Sequence, residues 1–262
     1  MGEKSLVTFS YNIHKGFSSG SHRFILNNIR SALRSVHPDL IFLQEVQGQN
    51  DHHSRNVKNW PAQPQFEFLA HELWPHFAYG KNAAYTSGHH GNAILSKYPF
   101  SFCENINIST NSVEKRGLLH GIIDIPLTCP KEAGLKKSRR LHVICVHLGL
   151  LEAERTEQIR LLCARIASHV PHDEPLIIGG DFNDWRNKVS GALRRALNLC
   201  EAFEQLDGAH ARTFPIWFPA LRLDRIYYRG LKVHGAQCLK GAPWRQLSDH
   251  AALLAELAFE PQ

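Results

Sequence analysis

Leu176-Ile177-Ile178-Gly179-Gly180-Asp181-Phe182-Asn183 is the stretch whose reading decides the fold of this chain. Pro175 and the aliphatic run after it read as a short strand covered on both faces, the signature of a layered α/β structure. The strand ends in two glycines and then in polar residues. Residues two apart in an extended segment point the same way, so Asp181 and Asn183 are expected to share one side. The glycines are expected to let a ligand approach the backbone closely.

Working outward, the same design recurs. Val7–Ser10 leads to Asn12, and Leu40–Leu43 leads to Gln44-Glu45. Val143–Val146 leads to His147, Leu221-Arg222-Leu223 leads to Asp224, and Ser248-Asp249-His250 opens the run Ala251–Leu254. A lone carboxylate beside a buried strand is ordinarily a cap or an ion-pair partner. Gathered at one end of a sheet, Glu45, Asp181, Asp224 and Asp249 would repel one another, and a buried ionised carboxylate is costly unless paired or bound to a cation. A divalent cation resolves the conflict. The donors are oxygen-rich, with no cysteine cluster or HxxxH pair, which suits Mg²⁺ or Mn²⁺ over Zn²⁺.

Between these points, Leu6–Ile13, Asn92–Ser96, Ser101–Ile108, Gly117–Ile125, Leu141–His147, Leu223–Tyr228, Leu231–Leu239 and Ala251–Leu257 read as strands. Ile25, Ile29, Leu33 and Val36 recur at helical spacing behind Ser21 as N-cap, and His37-Pro38-Asp39 stops that helix. Residues 152–169, with Ile159, Leu162, Cys163 and Ile166 inward, are a second helix, and 65–74 and 189–197 are shorter ones. Residues 48–64 read as a long polar loop, and the basic residues of 136–140 as a hairpin tip. Many strands with few helices predict an α+β fold with sheet-on-sheet packing and outer helices.

The chain has 262 residues, of which 43% are apolar and 21% charged, so a disordered chain is excluded and one domain over 1–262 is expected. No apolar run approaches the ~18 residues of a membrane span. The six cysteines show no CxxC spacing, so buried free thiols and, with no secretory h-region before Leu6–Ile13, a cytoplasmic location are expected. A net charge of +6 suits a polyanionic partner. No obligate protein partner is implied.

Ser10-Tyr11-Asn12, Leu43-Gln44-Glu45, Gly91–Ser96, Val146-His147, Gly180–Asn183, Leu223–Ile226 and Ser248–His250 together resemble the ordered motif set of the endonuclease/exonuclease/phosphatase superfamily. The resemblance runs over residues 10–258. It implies a four-layer α/β-β/α sandwich of two packed, mainly antiparallel sheets flanked by helices, with the site at one edge. It also implies a Mg²⁺-dependent phosphoric ester hydrolase. By this resemblance Glu45 is the principal metal ligand, with Asn12 and Asp249 near the metal. His147 contacts phosphate, Asp181 orients or deprotonates the attacking water, Asn183 is its amide partner, and Asp224 pairs with His250, which contacts the scissile phosphate.

The exonuclease III branch carries a Thr-Lys after its glutamate, where this chain has Val46-Gln47, and a Val-Pro-Asn-type segment with a catalytic Tyr, where it has Val143–His147. The strand of His147, followed by Arg155 and Gln158, is more similar to the branch of deoxyribonuclease I, sphingomyelinases and tyrosyl-DNA phosphodiesterases. Arg116, at the start of a strand, is a candidate for a substrate phosphate. Asn92 is a candidate for lining the site, and Trp217 for stacking on a base or covering a lipid chain. Nucleic acid is the first substrate class this implies, a phospholipid or inositol head group the second, and a silent binding module the third.

Overall fold

The computed structural model describes residues 5–21, 23–111, 114–126 and 138–259. Its elements, in chain order, are β1 (Ser5–Asn12), α1 (Leu26–Val36), β2 (Leu40–Asn50), α2 (Asp51–Asn56), α3 (Gln65–Ala70), β3 (His76–Tyr85), β4 (Gly88–Ser96), β5 (Phe100–Asn107), β6 (Gly117–Pro126), β7 (Ser138–His147), α4 (Glu152–His169), β8 (Leu176–Asp181), α5 (Val189–Leu197), β9 (Cys200–Glu201), α6 (Ala202–Asp207), β10 (Asp224–Arg229), β11 (Leu231–Leu239) and β12 (Ala252–Phe259).

They build two six-stranded sheets, ordered β11-β12-β1-β2-β4-β3 and β5-β6-β7-β8-β10-β9. Each sheet contains one parallel pair, β1 with β2 and β7 with β8. Parallel neighbours need a crossover, and α1 and α4 supply it. The remaining pairings are antiparallel.

The alternation of each strand sorts side chains into layers. On β2, Leu40 and Phe42 enter the core between the sheets, whereas Ile41 and Leu43 face α1 and α3. On β7, Val143 and Cys145 face inward, and Ile144 and Val146 pack under α4 and α5. The apolar strands are apolar on both faces because both faces are covered.

Gly179 and Gly180 have a different use from the one expected. A Cβ on Gly179 would stand 2.5 Å from the Phe42 ring of the opposite sheet, and one on Gly180 would stand 2.1 Å from the Val146 carbonyl oxygen. The glycines set the close approach of protein to protein at the site, not of ligand to backbone.

Other boundaries differ as well. The first helix starts at Leu26 with Ile25 at the N-cap and no side-chain cap, and Ser21 bonds to Ser18 instead. The expected loop at 48–64 begins as the end of β2, bulged between Leu43 and Val46, and continues as α2, capped by Asn50. The third helix is shorter than expected, ending at Ala70. Strand β3, which the sequence reading lacked, pairs with β4 along its length. The hairpin tip at 136–140 falls partly outside the described residues, and Ser138–Arg140 begin β7.

Candidate active site

His147, Asp181 and Asp224 stand side by side in register across β7, β8 and β10. Each keeps the parity of inward-facing neighbours, namely Cys145, Gly179 against Phe42, and Ile226, so all three side chains enter the space between the sheets. The first sheet faces them with Asn12 at the end of β1. Ser248 Oγ donates to the Asn12 carbonyl at 2.7 Å, which ties the segment Ser248–His250 across the end of that strand.

The side chains converge on Asp181. Asn12 Nδ2 donates to Asp181 Oδ2 at 3.2 Å, and the Asn183 backbone N–H donates to Oδ1 at 3.0 Å. His147 Nε2 lies 3.5 Å and His250 Nε2 3.8 Å from Oδ2. The other ring nitrogen of His250, Nδ1, is 2.8 Å from Asp224 Oδ2.

Burial raises the Asp181 carboxyl to about 6, and the Asp224 carboxylate adds to the effect against the opposing pull of His250. Burial acts to lower His250, but the Asp224 and Asp181 carboxylates outweigh it and raise the imidazole to about 10. His250 is therefore a cation with a proton on each nitrogen. His147 is the opposite case. Burial first, then the Arg116 cation and His250, hold it well below its ordinary value. Arg116 Nη1, which only donates, lies 3.4 Å from His147 Nδ1, so the neutral ring carries its proton on Nε2, toward Asp181.

The remaining expected residues are placed less uniformly. Glu45 sits in the β2 bulge with φ of 56°, next to Gln44, the register partner of Asn12. Its charge reaches His90 on β4. Asn183 is left-handed rather than extended, with φ of 49°, and its Nδ2 donates to the Leu148 carbonyl at 2.9 Å. It does not point alongside Asp181, because the turn that aims its N–H at Asp181 swings its amide to the neighbouring loop. Asp249 accepts from Ser248 Oγ at 3.2 Å, outside the tight Asp181 group. Asn92 is buried and donates to the Gly117 carbonyl at 3.0 Å, and Arg116 forms an ion pair with Glu114. Trp217 is exposed on the loop before β10.

Three participants escaped the sequence reading. Lys15 stands in a left-handed turn after Asn12, and its charge depresses both His90 and His147. Thr213 Oγ1 accepts the Asp224 backbone N–H at 3.3 Å. Arg225 is fully buried, donating to the Asp184 carbonyl and to Asn187 Oδ1, each at 3.0 Å, and so braces the loop after Asn183. Its one signal was an arginine inside an apolar strand.

The pattern of the Endonuclease/Exonuclease/phosphatase family matches residues 9–250. The chain belongs to this family. It is 45% identical over 253 residues to the uncharacterized protein YbhP of Escherichia coli strain K12, covering 97% of this chain and 96% of that one. Its fold is similar to that of an endonuclease/exonuclease/phosphatase from Beutenbergia cavernae, with a TM-score of 0.76 at 19% identity over 98% of this chain and 72% of that one. It is also similar to D. rerio TDP2 complexed with a single-strand DNA product, with a TM-score of 0.68 at 20% identity over 97% and 99%. The mannosyl-6-phosphatase Bt3783 of Bacteroides thetaiotaomicron gives 0.65 at 18% identity over 97% and 100%. The family is one of hydrolases, with nuclease and phosphatase neighbours.

The residues of this family member fit a cation. Among the described residues, the donor atoms of Asp181, Asp224 and His250 lie within 4.8 Å of one another, and because both nitrogens of His250 carry protons, the carboxylate oxygens are the atoms that can meet a cation. Asp224 Oδ1 is buried without a hydrogen-bond partner, and Asp181 is driven up by its burial. Glu45 and Asp249, expected as ligands, stand outside this group.

Proposed function

We propose that the protein is a divalent-metal-dependent phosphodiesterase that cleaves a phosphate ester by in-line attack of water. The observation that carries this reading is the buried Asp181 carboxylate, braced by Asn12 and by the Asn183 N–H and flanked by two imidazoles of opposite character. Asp181 orients the water and takes its proton. Neutral His147 donates from Nε2, and cationic His250 donates from its own Nε2 as negative charge builds on the phosphate oxygens. Asp224 holds His250 in that orientation and charge state. Arg116 meets a second phosphate oxygen, Asn92 fixes Gly117 beside it, and Trp217 contacts the leaving part of the substrate. As the family resemblance implies, Glu45 would hold Mg²⁺ or Mn²⁺ with Asn12 and Asp249 near it, the carboxylates of Asp181 and Asp224 being the further oxygen donors the cleft offers, and the cation would supply Lewis-acid neutralisation of the phosphate charge.

Both sheets contribute to this site, which supports reading residues 1–262 as one domain. The basic net charge and the likeness to D. rerio TDP2 support nucleic acid as substrate. The exposed aromatic residues Trp217 and Phe218 support a phospholipid or inositol head group. His147, where the exonuclease III branch differs, supports the deoxyribonuclease I and sphingomyelinase branch. The free thiols of Cys103, Cys145, Cys163, Cys200 and Cys238 support a cytoplasmic location.

The test is hydrolysis of bis-p-nitrophenyl phosphate, plasmid DNA, single-stranded RNA, phosphatidylglycerol and an inositol polyphosphate, with Mg²⁺, Mn²⁺ or EDTA. Activity should require the metal, and Glu45→Ala should lose metal affinity in calorimetric titration while remaining folded. Full activity in EDTA would remove the metal from the proposal. No hydrolysis of any ester would favour the silent binding module.

A further inference from the structure

Ten large hydrophobic side chains are exposed among the described residues, and six of them, Leu150, Leu151, Trp185, Trp217, Phe218 and Leu221, lie on three loops. Those loops follow His147, follow Asn183 and precede Asp224. Because His147, Asp181 and Asp224 are in register across β7, β8 and β10, the loops leave one sheet edge side by side. Hydrogen bonds join them. The Leu148 N–H donates to the Asp181 carbonyl and the Phe182 N–H to the Leu223 carbonyl, each at 2.9 Å. The mouth of the site is thus rimmed by apolar side chains on a braced support. Leu150, Leu151 and Phe218 are 63%, 64% and 76% exposed, which is expensive for a rim that only water touches.

Next to this rim, a groove of about 410 Å³ runs between α4 and α5. Its walls are largely apolar, with Ile159, Cys163, Val189 and Ala192 among them, and Glu152 and Lys188 stand at the end beside Leu151.

We infer that this rim docks on an anionic phospholipid bilayer, so that the ester cleaved is one presented by a lipid head group at the surface. The inference rests on the phosphodiesterase reading of the site. A base-stacking platform would account for Trp185, Trp217 and Phe218, since every base offers a π-face to an aromatic ring. It leaves Leu150, Leu151 and Leu221 without a purpose, whereas a hydrocarbon boundary accommodates all six. Charge agrees with the choice. The chain carries +6, and at this edge Lys15 and Arg222 have no carboxylate partner among the described residues, Arg222 donating to the His210 carbonyl instead.

The test is co-sedimentation of the full chain with phosphatidylcholine vesicles, with and without phosphatidylglycerol, beside hydrolysis of vesicle lipid and of soluble bis-p-nitrophenyl phosphate in Mg²⁺. The wild type should sediment with the phosphatidylglycerol vesicles. Leu150→Ser/Leu151→Ser/Phe218→Ser should lower binding about tenfold or more, the scale expected for withdrawing three apolar side chains from a lipid interface. It should lower the ratio of vesicle to soluble-substrate turnover in step. Leu150→Met/Leu151→Met, which keeps the apolar surface, should bind as the wild type does and controls for folding. No vesicle binding by the wild type, or equal binding by the serine variant, would overturn the inference. So would binding of a single-stranded oligonucleotide that the serine substitutions weaken while vesicles do not compete. Absence of hydrolysis of both the vesicle lipid and the soluble diester would instead overturn the phosphodiesterase reading and leave vesicle binding to be judged separately.

Discussion

Nδ1 of His250 lies 2.8 Å from Oδ2 of Asp224, a contact that joins the segment opening β12 in one sheet to the first residue of β10 in the other. Asp224 is fully buried, so the two residues form a charge-assisted pair that neither could leave cheaply. Asp224→Asn and His250→Gln should each cripple turnover, and the double variant should lose little more than the worse single one. In a kinetic double-mutant cycle the coupling should be ~1–3 kcal/mol, as for residues in one hydrogen-bonded network. Additive losses would show that they act independently.

The same pair gives the stability an alkaline limb. The folded-state value of His250, about 10, lies above its unfolded value, so its contribution is fully present below ~6.5 and disappears as pH rises toward about 10. Urea midpoints of the metal-free protein should therefore fall across that window. His250→Gln should flatten the fall, and an unchanged slope would place its cause elsewhere.

Asp181→Asn keeps the shape of the side chain and removes the acceptor of the water's proton. The loss should appear in kcat, at about 10²–10⁴-fold, with KM little changed. A normal kcat would assign Asp181 to structure alone.

An acid limb should come from a different place. Arg165 Nε donates to His120 Nδ1 at 3.2 Å, His120 Nε2 to His142 Nδ1 at 3.0 Å, and His142 Nε2 to Glu174 Oε2 at 2.6 Å. Arginine only donates, so every proton in this chain of bonds has one position, and both rings are neutral. Burial, then His142 and Arg165, lower His120 to about 3, and burial also lowers His142 despite Glu174. The unfolded rings take up protons first, so stability should fall as pH drops below ~6.5, at up to ~1.4 kcal/mol per pH unit for each proton. Thermal melts from neutral to acidic pH should show this loss, and His120→Phe should reduce it.

What the sequence determined by itself was the layered fold and which candidate polar residues stand at the strand ends. A strand apolar on both faces must be covered on both faces, and its polar end must lie at a sheet edge. Runs such as Leu40–Leu43 and Leu176–Ile178, each followed by acidic or amide residues, therefore disclosed the architecture and set Glu45, Asp181 and Asn183 at a sheet edge as candidates. Tertiary structure alone decided the rest, because it depends on contacts between residues far apart in the chain. Gly179 makes room for Phe42, 137 positions away, and Gly180 for the Val146 carbonyl, and a glycine does not record what approaches it. Lys15 and Glu45 take left-handed backbone conformations that their residue types disfavour, so no local preference announced them. The opposite charge states of His147 and His250 come from burial and from the neighbour each ring meets, Arg116 beside the adjacent strand of the same sheet for one and Asp224 across the cleft for the other, and that choice was made by the register of the strands and the packing of the two sheets.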